Sequence, residues 1–390
     1  MSANKSMLII QDDIYAGSLH LDEVLLSAIP EAVGGAAAFA FVSRDGLNAI
    51  FNSDEFTDFC RAGHHFELII GIDSITNEHT LEFAKKLSRD LSGRLIVKVY
   101  YDDTTPDIFH AKTSWFRNSN GEGCVAFVRS GNLTLRGLQK NVEMFSWIEQ
   151  DKEGFSETER TWNGWVEAAR LAGRLHDVDD PMVVEKARTN YWGRRRSRRS
   201  SAQGQERAIT GQNTVSIENA VVVSTIPKQT GRGWSQFAMK KEYYTDYFGF
   251  EIDESGENPV ATGNRRVLLR SVSEDGAIGL AESRRGNISS SSRNYRIELG
   301  AARNAEVPDD TNPIVVFIKT DERSYLYEIF DNSSVKTAEW LNQLVDFATR
   351  NAGARRPTEK PKCWTTLNML STALPDLPIL KARANLVDPE

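Results

Sequence analysis

At 390 residues and 40% apolar content, the chain is long enough for two cored domains and long for one. No apolar run approaches the roughly eighteen residues of a membrane span, and the start MSANKSMLII lacks a signal peptide's flanks, so the sequence predicts a soluble, cytoplasmic protein with no membrane partner. The net charge of −7 divides into −11 over residues 1–180, +5 over 181–220 and −1 over 221–390, which does not exclude DNA, because a few local basic patches suffice to bind it. Cys60, Cys124 and Cys363 are scattered and form no C-x-x-C pair, so they predict buried, inert thiols rather than a disulfide framework or zinc site.

The first 180 residues alternate strand-like and helix-like patterns. Met7–Ile10, Ala36–Val42, Phe66–Ile72 and Leu95–Tyr101 are apolar runs of strand length. Between them, Leu21, Val24, Leu25, Ala28 and Ile29 line one helix face that Pro30 ends, while Gly46–Ala62 and Glu78–Leu91 read as two further helices. Glu157–Leu175, carrying Trp162 and Trp165, closes the unit as a helix. The expectation is an α/β domain whose sheet is covered by helices.

Within it, FHAKTSWFR alternates from Phe109 to Trp115 and predicts a strand whose other face presents His110 and Lys112 together. A strand from Cys124 to Val128 runs into Ser130-Gly131-Asn132, where glycine permits a sharp turn that brings amides and the Asn132 side chain close to an anion. A third strand, Met144–Ile148, follows Glu143. Such a group suits phosphodiester cleavage through a covalent phosphohistidine. Neutral imidazole is a competent nucleophile near pH 7, its unperturbed pKa being roughly 6.5. Lys112 supplies charge to the non-bridging oxygens, Asn132 and Ser130 neutral donors, and Glu143 is expected to hold the histidine tautomer that attacks. No metal or cofactor is called for. A second imidazole is needed to protonate the leaving oxygen, and with one copy of the motif per chain this predicts a homodimer with one composite site.

At these residues the chain resembles the phospholipase D superfamily, whose signature is His-x-Lys followed by a Gly/Ser-x-Asn turn. The match is His110-Ala-Lys112, then Ser130-Gly131-Asn132 continuing as Leu-Thr-x-x-Gly-Leu-x-x-Asn-x-Glu to Glu143. The superfamily's usual aspartate five residues after the lysine is replaced by Arg117. Its restriction-endonuclease branch, represented by BfiI and the NgoFVII family, is similar in using a glutamate eleven residues after the asparagine, the interval seen here between Asn132 and Glu143. The resemblance implies a metal-independent nuclease followed by a B3-like DNA-binding barrel, and it leaves a separate ATPase or helicase-like subunit open as a partner.

From Lys186, KARTNYWGRRRSRRSSAQGQERAITGQNT is nearly all polar and predicts a basic linker over 186–213 between a nuclease domain, 1–185, and a second domain, 214–390. That second part is mainly short strands: Val215–Ile217, Ala220–Ile226, Val267–Val272, Tyr295–Leu299, Ile314–Thr320 and Ser324–Phe330. One helix, Val335–Ala348, has Ala338, Leu341, Val345 and Ala348 on a face. The pattern suggests an open barrel, B3-like by the resemblance. Two segments read as DNA-contacting arms: Pro227–Gln236, with Lys228, Arg232 and Gln236, and Glu282–Asn294, with Arg284, Arg285, Asn287 and Arg293.

The leading expectation is therefore a sequence-specific endonuclease acting on double-stranded DNA. The alternatives are a phospholipase D-type phosphodiesterase acting on lipid, disfavoured because such chains usually carry two His-x-Lys motifs and often membrane segments, and an inactive DNA-binding protein, disfavoured by the intact motif.

Overall fold

Strand periodicity and glycine turns lay down an eight-stranded sheet in the first half of the chain. The computed structural model describes residues 5–15, 17–73, 75–104, 108–128, 130–190, 220–226, 236–256, 258–289, 294–302, 312–352 and 360–386. The chain divides into two compact units, the first described up to Asn190 and the second from Ala220.

The N-terminal unit runs β1 (Lys5–Gln11), α1 (Leu21–Ala28), β2 (Ala32–Phe39), α2 (Arg44–Phe51), α3 (Asp54–Arg61), β3 (Phe66–Gly71), α4 (Glu78–Asp90), β4 (Leu95–Tyr100), β5 (Lys112–Asn118) and β6 (Gly123–Val128). A π-helical turn, Arg136–Lys140, then leads to β7 (Glu143–Gln150), α5 (Lys152–Leu171), β8 (Leu175–Asp177) and α6 (Pro181–Thr189). Among the described residues the sheet order is β1-β7-β6-β5-β2-β3-β4-β8. The β2, β3 and β4 strands are parallel, and the remaining pairs are antiparallel. Alternate residues bury opposite faces. Ala37, Phe39, Leu68, Ile70, Phe116 and Phe145 pack with α1 to α4, while Ala36, Ala38, Ile69, Trp115 and Val125 meet Phe155 and Trp162 of α5. The expected α/β layering holds.

Several boundaries differ from the sequence reading. The helix expected over Gly46–Ala62 is two, because the Ser53 hydroxyl accepts from Phe56 N and starts α3 afresh. The closing helix begins at Lys152, where Asp151 caps it, and ends before Gly173, whose φ of +71° turns the chain into edge strand β8. The expected linker starts later than Lys186, since α6 runs to Thr189 with Ala187 buried, Lys186 paired to Asp73 and Arg188 to Glu78. Its remainder beyond Asn190 lies outside the described residues.

The C-terminal unit is mainly β, as expected. Its strands are β9 (Ala220–Thr225), β10 (Gln236–Met239), β11 (Glu251–Asp253), β12 (Val260–Thr262), β13 (Arg266–Ser271), β14 (Glu282–Arg285), β15 (Asn287–Ile288), β16 (Tyr295–Glu298), β17 (Ile314–Asp321) and β18 (Ser324–Phe330). Helix α7 (Val335–Asn351), β19 (Lys362–Thr366), α8 (Leu367–Ala373) and α9 (Pro378–Ala384) complete it. A six-stranded sheet, β14-β13-β18-β17-β9-β19, packs α7 to α9 on one face and buries a tyrosine-rich core on the other, shared with the small sheet β10-β16-β15. The expected strand Val215–Ile217 lies outside the described residues, and the described strands form no closed barrel. The buried stripe of α7 is Thr337, Trp340, Leu341, Leu344, Phe347 and Ala348, rotated from the expected face because Trp340 takes the contact with Phe330. All three cysteines are buried free thiols.

One buried carboxylate gives this unit a pH dependence. Glu328 is 2% exposed, and one of its oxygens accepts from Ile379 N at 2.9 Å. Burial pushes its pKa up to about 8, with Glu274 adding to the rise and the Ile379 amide and Lys336 opposing it. The folded state therefore prefers the protonated form, so this stabilisation is complete below the unfolded pKa near 4.5 and is lost as pH rises through about 8. The expected loss is about 1 kcal/mol per pH unit in that window. Glu328→Gln should flatten the dependence of melting temperature on pH; an unchanged profile would show that Glu328 ionises freely.

Candidate active site

The catalytic candidates gather at one end of the eight-stranded sheet. Strand β5 starts there with Lys112, β7 starts with Glu143 opposite Gln11 at the end of β1, and β6 ends there before Ser130. His110 is not on the strand, as expected from its alternation, but just before it. Phe109 instead stacks on Tyr100 with centroids 4.6 Å apart and faces Trp165 at 6.2 Å, which pulls the segment out of strand geometry. The Ala111 carbonyl still accepts from Ala40 N at 2.7 Å, so the segment is anchored and His110 is exposed beside it.

Lys112 meets that ring. Its Nζ lies 2.9 Å from His110 Nε2 and 3.2 Å from Nδ1, so a ring nitrogen that accepts from the ammonium carries no proton and has its lone pair engaged. The ring edge also packs on Phe41 at 6.0 Å. Burial pushes the Lys112 ammonium below the usual lysine range, and the Glu143 carboxylate pulls it back. The two effects oppose each other at a buried ammonium that lies beside the exposed ring.

Glu143 is 3% exposed, and its oxygens are not aimed at the histidine as the sequence reading expected. One accepts from the Ser130 hydroxyl and the other from Asn141 Nδ2 at 3.1 Å. Glu143 thus ties down the Ser130 turn, and its charge acts on Lys112. Asn132 sits half-buried two residues further on, and its buried Oδ1 has no partner among the described residues. Its backbone is fixed closely: Leu133 bridges Val42, donating to Phe41 O at 3.1 Å and accepting from Ser43 N at 3.0 Å. Gly46 of α2 lies so near that a Cβ there would come within 2.0 Å of Leu133 O. Arg117, standing where the usual aspartate is absent, is at the far end of β5 and pairs with Glu159 at 3.2 Å, so that position does not reach the site.

Several DNA-contact candidates are also placed. Lys228, Arg232 and Arg293 lie outside the described residues. Arg284 is a correction: it is 3% exposed inside β14 and paired with Glu282 at 2.9 Å, because Glu282 to Ile288 is a pair of strands rather than a solvated loop. The break between those strands falls at Gly286, where a Cβ would strike Tyr244 and Phe250. Arg285 and Asn287 are exposed on either side of it. Gln236 opens β10, opposite Glu298, donating to Glu298 at 2.5 Å and accepting from Arg296 at 3.0 Å. Gln236, Asn287, Ser289, Arg296 and Glu298 line one shallow groove on the small sheet, so parts of both expected arms share a surface. Arg296 and Glu298 were missed because they sit inside a strand pattern.

Among the described residues no helix is long and apolar enough to cross a membrane. Neither a protein-family model nor a curated protein matches the chain. Among solved structures, the chain is similar to Nuc from Salmonella typhimurium, a phospholipase D family member, at 16% identity over 45% of this chain and 98% of that one, with a TM-score of 0.32. It is similar to NucT from Helicobacter pylori at 15% identity over 42% of this chain and 97% of that one, with a TM-score of 0.30. A phosphatidylserine synthase from Haemophilus influenzae matches at 13% identity, 45% and 40% coverage and a TM-score of 0.32. At such scores these likenesses decide nothing about chemistry, which rests on the residues themselves.

Proposed function

We propose that the protein is a sequence-specific, metal-independent DNA endonuclease of the restriction type within the phospholipase D superfamily, cutting phosphodiesters through a covalent phosphohistidine. The observation that carries this reading is the exposed His110 ring with the Lys112 ammonium 2.9 Å away. A phosphorus atom within reach of the imidazole lies within reach of the cation that its non-bridging oxygens need. The half-buried Asn132 is assigned the neutral donor, through its Nδ2.

In the first step a ring nitrogen of His110 forms the N–P bond and the P–O bond to the leaving oxygen breaks. That oxygen takes a proton from a second, protonated imidazole. In the second step water attacks phosphorus, gives its proton to the now neutral second imidazole, and the N–P bond breaks. The chain's other histidines are poorly placed to be that second group. His20 is 1% exposed and bound to Asp13, His176 engages Asp180 and the Tyr101 carbonyl, His79 meets Glu82, His65 meets Arg94, and His64 packs on Phe59. The reading therefore assigns it to His110 of a second copy in a homodimer. The C-terminal unit serves as a B3-like reader of double-stranded DNA. Arg285, Asn287 and Gln236 suit base edges, Lys228, Arg232 and Arg293 suit the backbone or bases, and Arg284 acts only from within. An ATPase or helicase-like subunit is a further proposed partner.

The test is cleavage of plasmid DNA by the purified protein in EDTA without ATP. Cutting should persist, since Lys112 and Asn132 supply the charge stabilisation. Cutting that EDTA abolishes and magnesium restores, still without ATP, would overturn the mechanism.

A further inference from the structure

We infer that Gln11, far from the motif in sequence, is a positioning residue that sets Asn132 and Glu143 against each other. Gln11 ends β1 and is 1% exposed. Its Nε2 donates to Asn141 O at 2.8 Å and to Gly137 O at 3.3 Å, while its Oε1 accepts from Leu21 N at 2.8 Å. One carboxamide thus ties the first strand, the start of α1 and both parts of the π-helical turn. Each of the two donated bonds leads to a site residue in one step.

Gly137 is pressed on Asn132: a Cβ at 137 would lie 2.3 Å from Asn132 O and 2.6 Å from Asn132 N. Fixing the Gly137 peptide therefore fixes the Asn132 backbone. Asn141, held by its carbonyl, donates from its side chain to Glu143 at 3.1 Å. Glu143 is itself paired with Gln11 across the β1–β7 ladder. The π-turn, closed by Asn141 N donating to Arg136 O at 2.8 Å, spans one residue more per hydrogen bond than an α-helix. That extra residue lets Gly137 face Asn132 while Asn141 faces Glu143, and Gln11 bonds to both sides of the turn. A buried amide left without these partners is costly, so the geometry is held strongly.

The inference rests on the reading of Asn132 and Glu143 as catalytic, and its test is built to fail separately from that reading. Gln11→Glu keeps the shape and the acceptor for Leu21 but removes both donors; Gln11→Met keeps the volume alone. Two readouts are taken on the full chain: single-turnover cleavage of DNA with DNA affinity, and amide hydrogen exchange. Both variants should cleave about 10- to 100-fold more slowly at unchanged DNA affinity, the loss that displacing a catalytic group by about an ångström brings. Exchange protection should fall at Leu133, Leu138 and Asn141 while the β2–β3–β4 amides keep theirs. Gly137→Ala, which displaces Asn132 directly, should reproduce the rate loss. Unchanged exchange over residues 132–141 in both variants would overturn the inference whether or not the wild-type protein cleaves. Unchanged cleavage by variants of an active wild type would overturn it too. A wild type that cleaves nothing would sink the proposed function and leave the exchange result to decide the role of Gln11.

Discussion

Replacing His110 with alanine is expected to lower DNA cleavage by at least about 10⁴-fold while leaving DNA affinity nearly unchanged. The expectation follows from what the ring touches. It is exposed, and among the described residues its ring meets the Lys112 ammonium and the Phe41 ring. Removing it should cost little stability and all of the covalent pathway. On the proposed function, affinity comes mainly from the C-terminal unit and the Lys112 charge, both of which the substitution leaves in the chain. Measuring cleavage and DNA binding on the same preparation separates the two. A fall of only a few-fold in rate would mean that water attacks phosphorus directly and that His110 is at most a base.

A mixture of wild-type and His110→Ala subunits should give heterodimers that are inactive or nearly so. Attack and leaving-group protonation happen on opposite sides of phosphorus, so a shared site with one imidazole lacks either nucleophile or acid. The engagement of the other five histidines elsewhere is what makes the second copy of His110 the fitting donor. Isolated, differently tagged heterodimers retaining about half the wild-type rate would show that each chain carries a complete site.

How much of this could be read from sequence depends on the range of the interaction involved. His110 and Lys112 were legible because they stand two positions apart and any extended backbone brings them to one face. That His110 itself lies just before the strand was not, because Phe109 stacks on Tyr100 and Trp165, residues up to 56 positions apart. Glu143 was found by spacing, but its bonding was misassigned: spacing does not say that Asn141 and Ser130 occupy its oxygens. The same limit applies to Arg284, which reads like its neighbour Arg285 until the pairing of β13 with β14 turns it inward beside Glu282. Local capping could have separated α2 from α3, since Ser53 before Asp54-Glu55 is a helix-start signal. Gln11 had no such signal. It is a polar residue at the end of an apolar strand, and its role exists only once β1 lies beside β7.

The central claim is that His110 becomes bonded to phosphorus. The direct measurement is a rapid quench of the DNA reaction in EDTA, proteolysis under alkaline conditions that preserve phosphoramidates, and mass spectrometry of the peptide spanning Phe109 to Arg117. The account predicts a nucleotide adduct on His110 that appears before product and decays as product forms, and none in His110→Ala. Full cleavage with no adduct at any time point, or an adduct on a different residue, would contradict it.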